Sequence, residues 1–367
     1  KISDGTTPGG VDIVGLGGGG GATTWAALGD KNNANGPATV ALGALAGLTN
    51  QGLTATAIGN TAGKTNQGQD ATAIGAGAGV TDQRARATAI GVGAGADTQS
   101  TDSVAIGNVA GATTQGGSAV AVGSEAGKTN QGDEAVAVGD QAGKTTQGNS
   151  ATAVGNAAGS TSQGADAVAI GNSAGNTNQT AKAVAVGDWA GKTDQGASAV
   201  ALGHLAGTAN QGQYATALGH YAGANDQSSN AIAVGYNAAY QNQGTQAIAI
   251  GVQAGQDTQS EKSVAIGPFA GMTTQGDRAV AIGHNSGKTS QGTKAIAIGT
   301  NAGTTNQAAN SIILNATGLT VENVQPDSFV VQPVRNYSNA AALPTGFKQV
   351  AYNPTTGEFV YYGSAGT

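Results

Sequence analysis

The sequence contains no cysteine, and only 4% of its 367 residues are aromatic and 10% are charged. The lack of cysteine excludes disulfides and cysteine-ligated metal sites. The scarcity of large aromatic side chains argues against a conventional globular core. No run of eighteen apolar residues is present, so we expect no membrane insertion. The net charge of −6 comes without a basic stripe, which argues against nucleic acid as a partner.

Glycine, in contrast, is abundant and regularly spaced. The phrase Ala-Val-Ala-Ile-Gly and its variants recur along the chain, and their glycine falls at every sixteenth position from 43 to 299. The seventeen copies show no slip, and a fixed period of this size is typical of a solenoid, in which repeats stack as successive turns. The glycines have no three-residue period, which excludes collagen. They also interrupt the chain too often for a helix.

Each repeat is predicted to form one turn with two short strands. In the unit from Gly123 to Val138, residues 136–138 carry β-branched side chains at alternate positions, as a strand requires. Residues 126–131 form a second strand or extended arm, and residues 132–134 form the turn between them. The fold class is therefore all-β, a parallel β-solenoid with 16-residue rungs. Seventeen turns spaced by about 4.8 Å predict a rod of roughly 80 Å.

Composition divides the chain into three parts. Residues 1–28 are a glycine-rich lead-in with an N-terminal cap, in which Trp25 begins a degenerate first rung. Residues 29–315 are the solenoid array. Residues 316–367 are interpreted as a small C-terminal β cap or trimerisation segment, because the aromatic content rises sharply there.

Strand and turn signals locate two features in the C-terminal part. Residues 328–334 alternate like a strand. Asn353-Pro-Thr-Thr-Gly357 has the proline and glycine spacing of a hairpin turn. The flanking hairpin strands are predicted at residues 348–352 and 358–362.

The apolar columns of the array predict an interior and an interface. The residue before each array glycine is always Ile, Val or Leu, and we interpret this column as the filling of the coil. The alanines between these residues then point to the opposite face. Because that face does not vary, we predict that it contacts other copies in a homotrimer, through residues such as Ala121, Ala137, Ala169 and Ala185. The alternative is that alanine simply fits a narrow monomeric coil.

Glutamine occupies the most uniform polar position, once in every turn. Stacked amides can hydrogen-bond along the rod axis, so we predict a structural ladder. A ligand-binding glutamine face is the alternative. Members of the predicted ladder include Gln67, Gln131, Gln147, Gln195 and Gln259.

Seven of the ring-bearing side chains of the array lie between residues 187 and 240. Aromatic rings at exposed turns offer flat apolar faces with polar tips, which suit sugar rings, so we predict a glycan contact here. The alternative is that these turn positions accept many residue types and that the aromatic residues there have no binding function. The predicted residues are Trp189, His204, Tyr214, His220, Tyr221, Tyr236 and Tyr240.

Neighbouring histidines raise the question of a metal site. His204 and His220 lie on adjacent turns, and Asp188 in the same column is the only candidate for a third ligand, so surface decoration is the better interpretation. The glycine-rich strings lack the following helix that a nucleotide-binding loop requires. We therefore predict no enzyme activity, no metal and no cofactor.

The repeated phrase Ser103-Val-Ala-Ile-Gly107 resembles the head repeat of YadA-like trimeric autotransporter adhesins. The resemblance covers about residues 39–315. It implies a left-handed parallel β-roll that trimerises and binds host matrix or cells. The unit of 16 residues is longer than the usual head repeat.

The C-terminal segment resembles a different group. Residues 329–336 and 352–358 are similar to the C-terminal segments of fibre and surface proteins of large DNA viruses and phages. Together the two resemblances imply a trimeric fibre or spike on a virion surface, or otherwise at the cell surface or outside the cell. It would attach to a host cell through surface glycans or a protein, beside other virion or fibre proteins.

Three alternatives stay open at this point. The chain is a bacterial trimeric adhesin head, a passive structural spacer, or an ice-binding solenoid. The last alternative rests on a flat Thr-x-Gln face, which is interrupted at residues 209, 225 and 241.

Overall fold

The computed structural model describes residues 39–334, 350–353, 357 and 359–361. Their main body is an all-β parallel solenoid of about 18 turns, which confirms the predicted fold class and period. Within these described residues there is no helix, and hence none long and apolar enough to cross a membrane. The lead-in and N-terminal cap predicted at residues 1–28 lie outside the described residues.

One sheet of 19 strands runs the length of the rod. Successive strands pair in parallel with a register shift of one repeat, so that Val136 lies beside Thr152 and Ala137 beside Ala153. The strands are Val40–Leu42, Thr56–Ile58, Thr72–Ile74, Thr88–Ile90, Val104–Ile106, Val120–Val122, Val136–Val138, Thr152–Val154, Val168–Ile170, Val184–Val186, Val200–Leu202, Thr216–Leu218, Ile232–Val234, Ile248–Ile250, Val264–Ile266, Val280–Ile282, Ile296–Ile298, Ile312–Asn315 and Phe329–Gln332. We call this the main sheet.

The other side of the coil carries shorter parallel strands that end at the ladder glutamines, and we call it the second sheet. It is interrupted at the rungs of Thr81 and Asp97 and again at the rung of Asp257, where only isolated bridges continue. Its strands are Thr49–Gln51, Thr65–Gln67, Thr113–Gln115, Thr129–Gln131, Thr145–Gln147, Thr161–Gln163, Thr177–Gln179, Thr193–Gln195, Ala209–Gln211, Asn225–Gln227, Gln241–Gln243, Thr273–Gln275 and Thr289–Gln291.

Two tight turns per repeat connect the sheets. In the first, the Ala126 N–H donates to the Gly123 carbonyl over 3.4 Å, and Glu125 has a left-handed φ of 55°. This is the geometry of a type II turn. The glycine spacing follows from stacking: a Cβ on Gly139, whose φ is 132°, would lie 2.5 Å from the Gly155 carbonyl oxygen of the next turn.

The interior of the coil is the reverse of the predicted one. The alanines of the main sheet point inward and are fully buried, whereas the Val, Ile and Leu side chains on either side of them point outward and are half-buried or exposed. The reason is the narrow gap between the sheets. A Cβ on Gly63 would already lie 2.6 Å from Gln67 Oε1 and 3.1 Å from the Ala57 Cβ, so no large side chain fits there.

The solenoid also continues past residue 315, the boundary predicted for the array. Ile312–Asn315 pairs in parallel with Phe329–Gln332, with an offset of 17 residues instead of 16. Asn315 replaces the array glycine, and its Nδ2 donates to the carbonyls of Thr300 and Leu319, each over 2.7 Å. The strand predicted within residues 328–334 is thus the last strand of the main sheet.

The predicted C-terminal hairpin is present. Val350–Tyr352 pairs antiparallel with Phe359–Tyr361, and the Gly357 N–H donates to the Asn353 carbonyl over 2.9 Å. The ring of Phe359 lies 5.9 Å from that of Phe329. The hairpin therefore contacts the outward side of the last main-sheet strand.

Candidate functional site

An exposed apolar surface lies along the main sheet. In every turn of the array, the two outward side chains of the strand, for example Val136 and Val138, flank an inward alanine. We call this surface the outer Val/Ile face. Its members that are more than a third exposed are Val40, Ile106, Ile170, Leu202, Leu218, Ile232, Ile250, Ile282, Ile298 and Leu314.

The outer Val/Ile face changes the interface prediction. Ala121, Ala137, Ala169 and Ala185 have no exposed surface, because they are buried inside their own coil. They cannot contact another chain, so the predicted alanine interface is wrong. The exposed Val, Ile and Leu side chains instead follow one another along the outer Val/Ile face, and extended exposed apolar patches are commonly contact surfaces.

The predicted glutamine ladder lies inside the coil. Gln131 Nε2 donates to Gln147 Oε1 over 3.1 Å, and each such nitrogen also donates to a main-chain carbonyl, that of Val120 in this case. The ladder is continuous from Gln115 to Gln307 and also links Gln67, Gln83 and Gln99. Because the amides are buried, they do not form a ligand-binding face.

The ladder is interrupted before Gln67 and again before Gln115. The Oε1 atoms of Gln67 and Gln115 are buried and lack a hydrogen-bond partner. Buried carbonyl oxygens without a partner are rare. The interruption before Gln115 follows the rung in which Asp97 replaces threonine, but the same replacement at Asp257 leaves the ladder continuous, so the loss of threonine does not by itself break the ladder.

Inward glutamines also alter the ice-binding alternative. The outward residues of the second sheet are the threonine and the middle residue, such as Thr129 and Asn130, not Thr and Gln. The middle residue has a left-handed φ, 52° for Asn130, which turns both side chains outward. The threonine column is interrupted by Ala209, Asn225 and Gln241, so no uniform flat array results.

Five of the predicted glycan-contact residues form one cluster at the first tight turn of their repeats, the turn that follows the array glycine. The His204 and His220 rings stack with centroids 4.9 Å apart, and Tyr221 lies 4.3 Å from His220. Tyr236 lies 5.5 Å from His220, and Tyr240 contacts Tyr221 edge-on at 5.6 Å. These residues occupy the first, second and fifth positions after the array glycine in three successive repeats. We call them the aromatic corner.

The other two predicted residues lie apart from this cluster. Trp189 belongs to the same column as Tyr221, but Leu205 separates them, and the Lys192 Nζ lies 3.5 Å from the indole ring centroid. Tyr214 lies in the second tight turn of its repeat, three residues after Gln211 and on the other side of the coil. Trp189 thus lies one turn before the aromatic corner without a ring contact to it, and Tyr214 lies on a different side of the coil.

The histidine pair does not have the geometry of a metal site. Zinc binds each imidazole nitrogen at about 2.0–2.1 Å, so two ligands must point toward one centre. The His204 and His220 rings are nearly parallel, 9° apart, so their in-plane lone pairs do not converge. His204 Nε2 instead lies 3.5 Å from Asp188 Oδ2. Within the described part of the chain, no group of three or more His, Asp or Glu side chains could hold a metal ion.

The ionic cluster around Glu125 lowers the pKa of that carboxyl group. Glu125 accepts a hydrogen bond from Lys128 at 2.8 Å, and Lys144 of the next turn lies 2.6 Å from its other oxygen. These hydrogen bonds, and the attraction of the two ammonium groups, lower the pKa of Glu125 to about 2. The cluster ties two turns together at the surface. The prediction that the chain has no enzyme activity stays a prediction.

The YadA head domain repeat is the family whose model matches the chain, in two copies at residues 211–238 and 259–286. The first copy includes His220, Tyr221 and Tyr236 of the aromatic corner. No curated protein and no solved structure matches the chain. The chain is therefore similar to YadA heads over these turns, and the viral resemblance of its C-terminal segment stays a prediction.

Proposed function

We propose that this chain is a rod-shaped head of a homotrimeric adhesin at a cell surface or outside the cell. The observation that carries the proposal is the outer Val/Ile face, which leaves one column of Val, Ile and Leu and a second column of Val, Ile and Thr uncovered on turn after turn. Copies of the same chain are the occupants that match this surface best. YadA-like heads, to which two segments are similar, are typically homotrimeric adhesins.

The geometry of the rod favours a symmetric assembly of identical chains. Each turn presents the same residue types at the same height. A rotation about an axis parallel to the rod therefore places Val or Ile of one copy against Val or Ile of the next, along the whole length. Closed cyclic assemblies are the usual outcome of such a relationship. Most of these side chains are Val, Ile or Thr, which are β-branched and rigid, so little conformational entropy is lost on contact.

Attachment follows from the shape of the assembly. Three parallel rods expose their turns and second sheets outward, where turn residues vary between rungs while the interior stays uniform. Variable residues on a rigid scaffold are the usual location of binding functions. The virion-surface placement is the alternative, and it rests on the C-terminal segment alone.

Beads provide a direct test of attachment. Beads coated with the full 367-residue chain are exposed to collagen, to laminin and to epithelial cells under flow. We expect retention above that of albumin-coated beads. In free solution, a dissociated Ile170→Glu/Ile250→Glu variant should bind these surfaces more weakly than the soluble wild type, because it carries one copy of each contact where the trimer carries three. Retention equal to albumin on every surface would reduce the rod to a spacer and contradict the proposal.

A further inference from the structure

We propose that the aromatic corner binds a neutral saccharide chain lying parallel to the rod axis. The inference rests on the proposed function only in placing the rod where such chains occur. The contacts themselves lie within one protomer, so binding can be measured separately from attachment.

The first support is the continuity of the rings. Ring contacts link His204 to His220, and His220 to Tyr221 and Tyr236, across three turns. With about 4.8 Å between turns, the strip from the first to the third turn is about 10 Å long, roughly two pyranose units. Trp189 extends the strip by one more turn at its N-terminal end. Because the His204 and His220 rings stack on each other, they present edges rather than faces to a ligand along the axis, and a linear oligosaccharide would contact these edges together with the exposed ring of Tyr236.

The second support is exposure. Tyr236 is 49% exposed and Trp189 is 40% exposed, although both are large and apolar. Elsewhere in the array the first position after the glycine is commonly Asn, Asp or Ser, as at Asn172 and Asp140. Aromatic rings with hydroxyl or N–H tips combine an apolar face with a polar edge, the combination that sugar rings match.

The third support is an unused acceptor beside these rings. Asn237 directly follows Tyr236, and its N–H donates to the His220 carbonyl over 3.0 Å. Its side-chain Oδ1 is buried and has no hydrogen-bond partner. Such oxygens normally have a donor. A saccharide hydroxyl would supply one after a rotation of the amide toward the surface.

The charged side chains beside Trp189 and the aromatic corner favour a neutral ligand. Lys192 lies over the Trp189 ring, and Asp188 lies beside His204, so a cation and an anion occur together. A phosphorylated or sulfated chain would need a cluster of basic groups, and this strip has one lysine. A neutral oligosaccharide requires neither sign of charge.

Titration with defined oligosaccharides tests the proposal. The full chain is titrated with cellohexaose, chitohexaose and maltohexaose, and binding is followed by calorimetry. We expect one of these neutral hexasaccharides to bind. Tyr221→Ala/Tyr236→Ala should weaken that binding at least tenfold, and Trp189→Ala should weaken it by a smaller factor. Tyr214→Ala is the matched control, because Tyr214 is an exposed tyrosine on the opposite turn, and it should bind like the wild type.

Melting temperatures accompany the titrations, since a loss of fold would also abolish binding. The inference is overturned if no hexasaccharide binds the wild type, or if Tyr214→Ala loses as much affinity as the double variant. Beads that adhere equally with and without Tyr221 and Tyr236 would overturn it as well, while leaving the proposed adhesin function in place. Adhesion that depends on these residues without hexasaccharide binding would indicate a protein ligand and overturn the saccharide assignment.

Discussion

Gln147 donates its amide N–H to Gln163 Oε1 over 3.1 Å, inside a coil whose remaining inward side chains are mostly alanine. The same nitrogen also donates to the Val136 carbonyl over 2.8 Å. One side chain thus links two turns and both sheets. Its loss should affect each of these contacts.

Gln147→Ala should therefore lower the melting temperature more than Gln99→Ala. Both glutamines are buried, but Gln147 has ladder neighbours on both sides, whereas Gln99 accepts from Gln83 at the end of a short ladder. A buried amide left without its partner costs about 1–3 kcal/mol. Thermal unfolding followed by circular dichroism gives the comparison. Equal shifts for the two variants would show that the ladder adds nothing beyond side-chain volume.

Ala137→Val should destabilise the coil, whereas Val136→Thr should be tolerated. Ala137 is fully buried between neighbouring alanines, and overpacking of a tight core costs about 1–3 kcal/mol or more. Val136 points outward, and the equivalent residue of the next turn is Thr152. The measurement is the melting temperature of each variant. A larger loss for Val136→Thr would restore the inward placement of valine that the sequence suggested.

Gly139→Ala should be severely destabilising. Its φ of 132° is unfavourable for any L side chain, and the added Cβ would meet the Gly155 carbonyl oxygen at 2.5 Å. Gly117→Ala is the matched control, because a Cβ there would meet no atom closer than 3.7 Å and its φ lies outside the left-handed region. Soluble yield and melting temperature should fall for Gly139→Ala far more than for Gly117→Ala. Similar values for both would remove the stacking explanation of the period.

The Glu125 cluster predicts a small acid dependence. The pKa of Glu125 is lowered from 4.5 to about 2, so its contribution to stability is complete above pH 4.5 and disappears as the pH falls through about 2. Because the three side chains are about a quarter to a third exposed, we expect only about 0.5 kcal/mol. Melting temperatures of wild type and Glu125→Gln should differ at pH 6 and converge near pH 2, and Lys144→Gln should show part of the difference. A constant difference across this range would exclude the ionic origin.

The period predicted the fold because stacking repeats the same contact in every turn. The register of Val136 beside Thr152, and of Gln131 beside Gln147, follows directly from the 16-residue spacing. The hairpin near Gly357 follows from its turn residues. Both are local or strictly periodic features, which a single sequence contains in full.

Which column of strand side chains points into the coil does not follow from the period in the same way. Alternation defines two faces of a strand, but the width of the interior decides which face is buried. That width depends on how closely the second sheet approaches, which the left-handed conformation of Asn130 and its equivalents helps to determine. A signal was available: the inward column is uniform Ala, whereas the outward column alternates among Val, Ile and Thr. A close-packed interior tolerates less variation than a surface.

The candidate site was predicted in part. Position within the repeat groups His204, His220 and Tyr236 in one column, and the structure brings their rings into contact. The same arithmetic separates Tyr214, which follows the ladder glutamine instead of the array glycine. The buried oxygen of Asn237 had no signal in the sequence, since it depends on side-chain packing.

The mass of the intact protein in solution tests the central claim, that the outer Val/Ile face joins identical chains. Light scattering after size exclusion should give three times the 35.1 kDa chain mass for the wild type. Ile170→Glu/Ile250→Glu should reduce the mass to that of one chain, because charges on that face cannot be buried without partners. Thr113→Glu/Thr161→Glu, with the same change on the second sheet, should keep the trimer mass. A wild-type mass of one chain, or a trimer that survives both pairs of substitutions, would contradict the account.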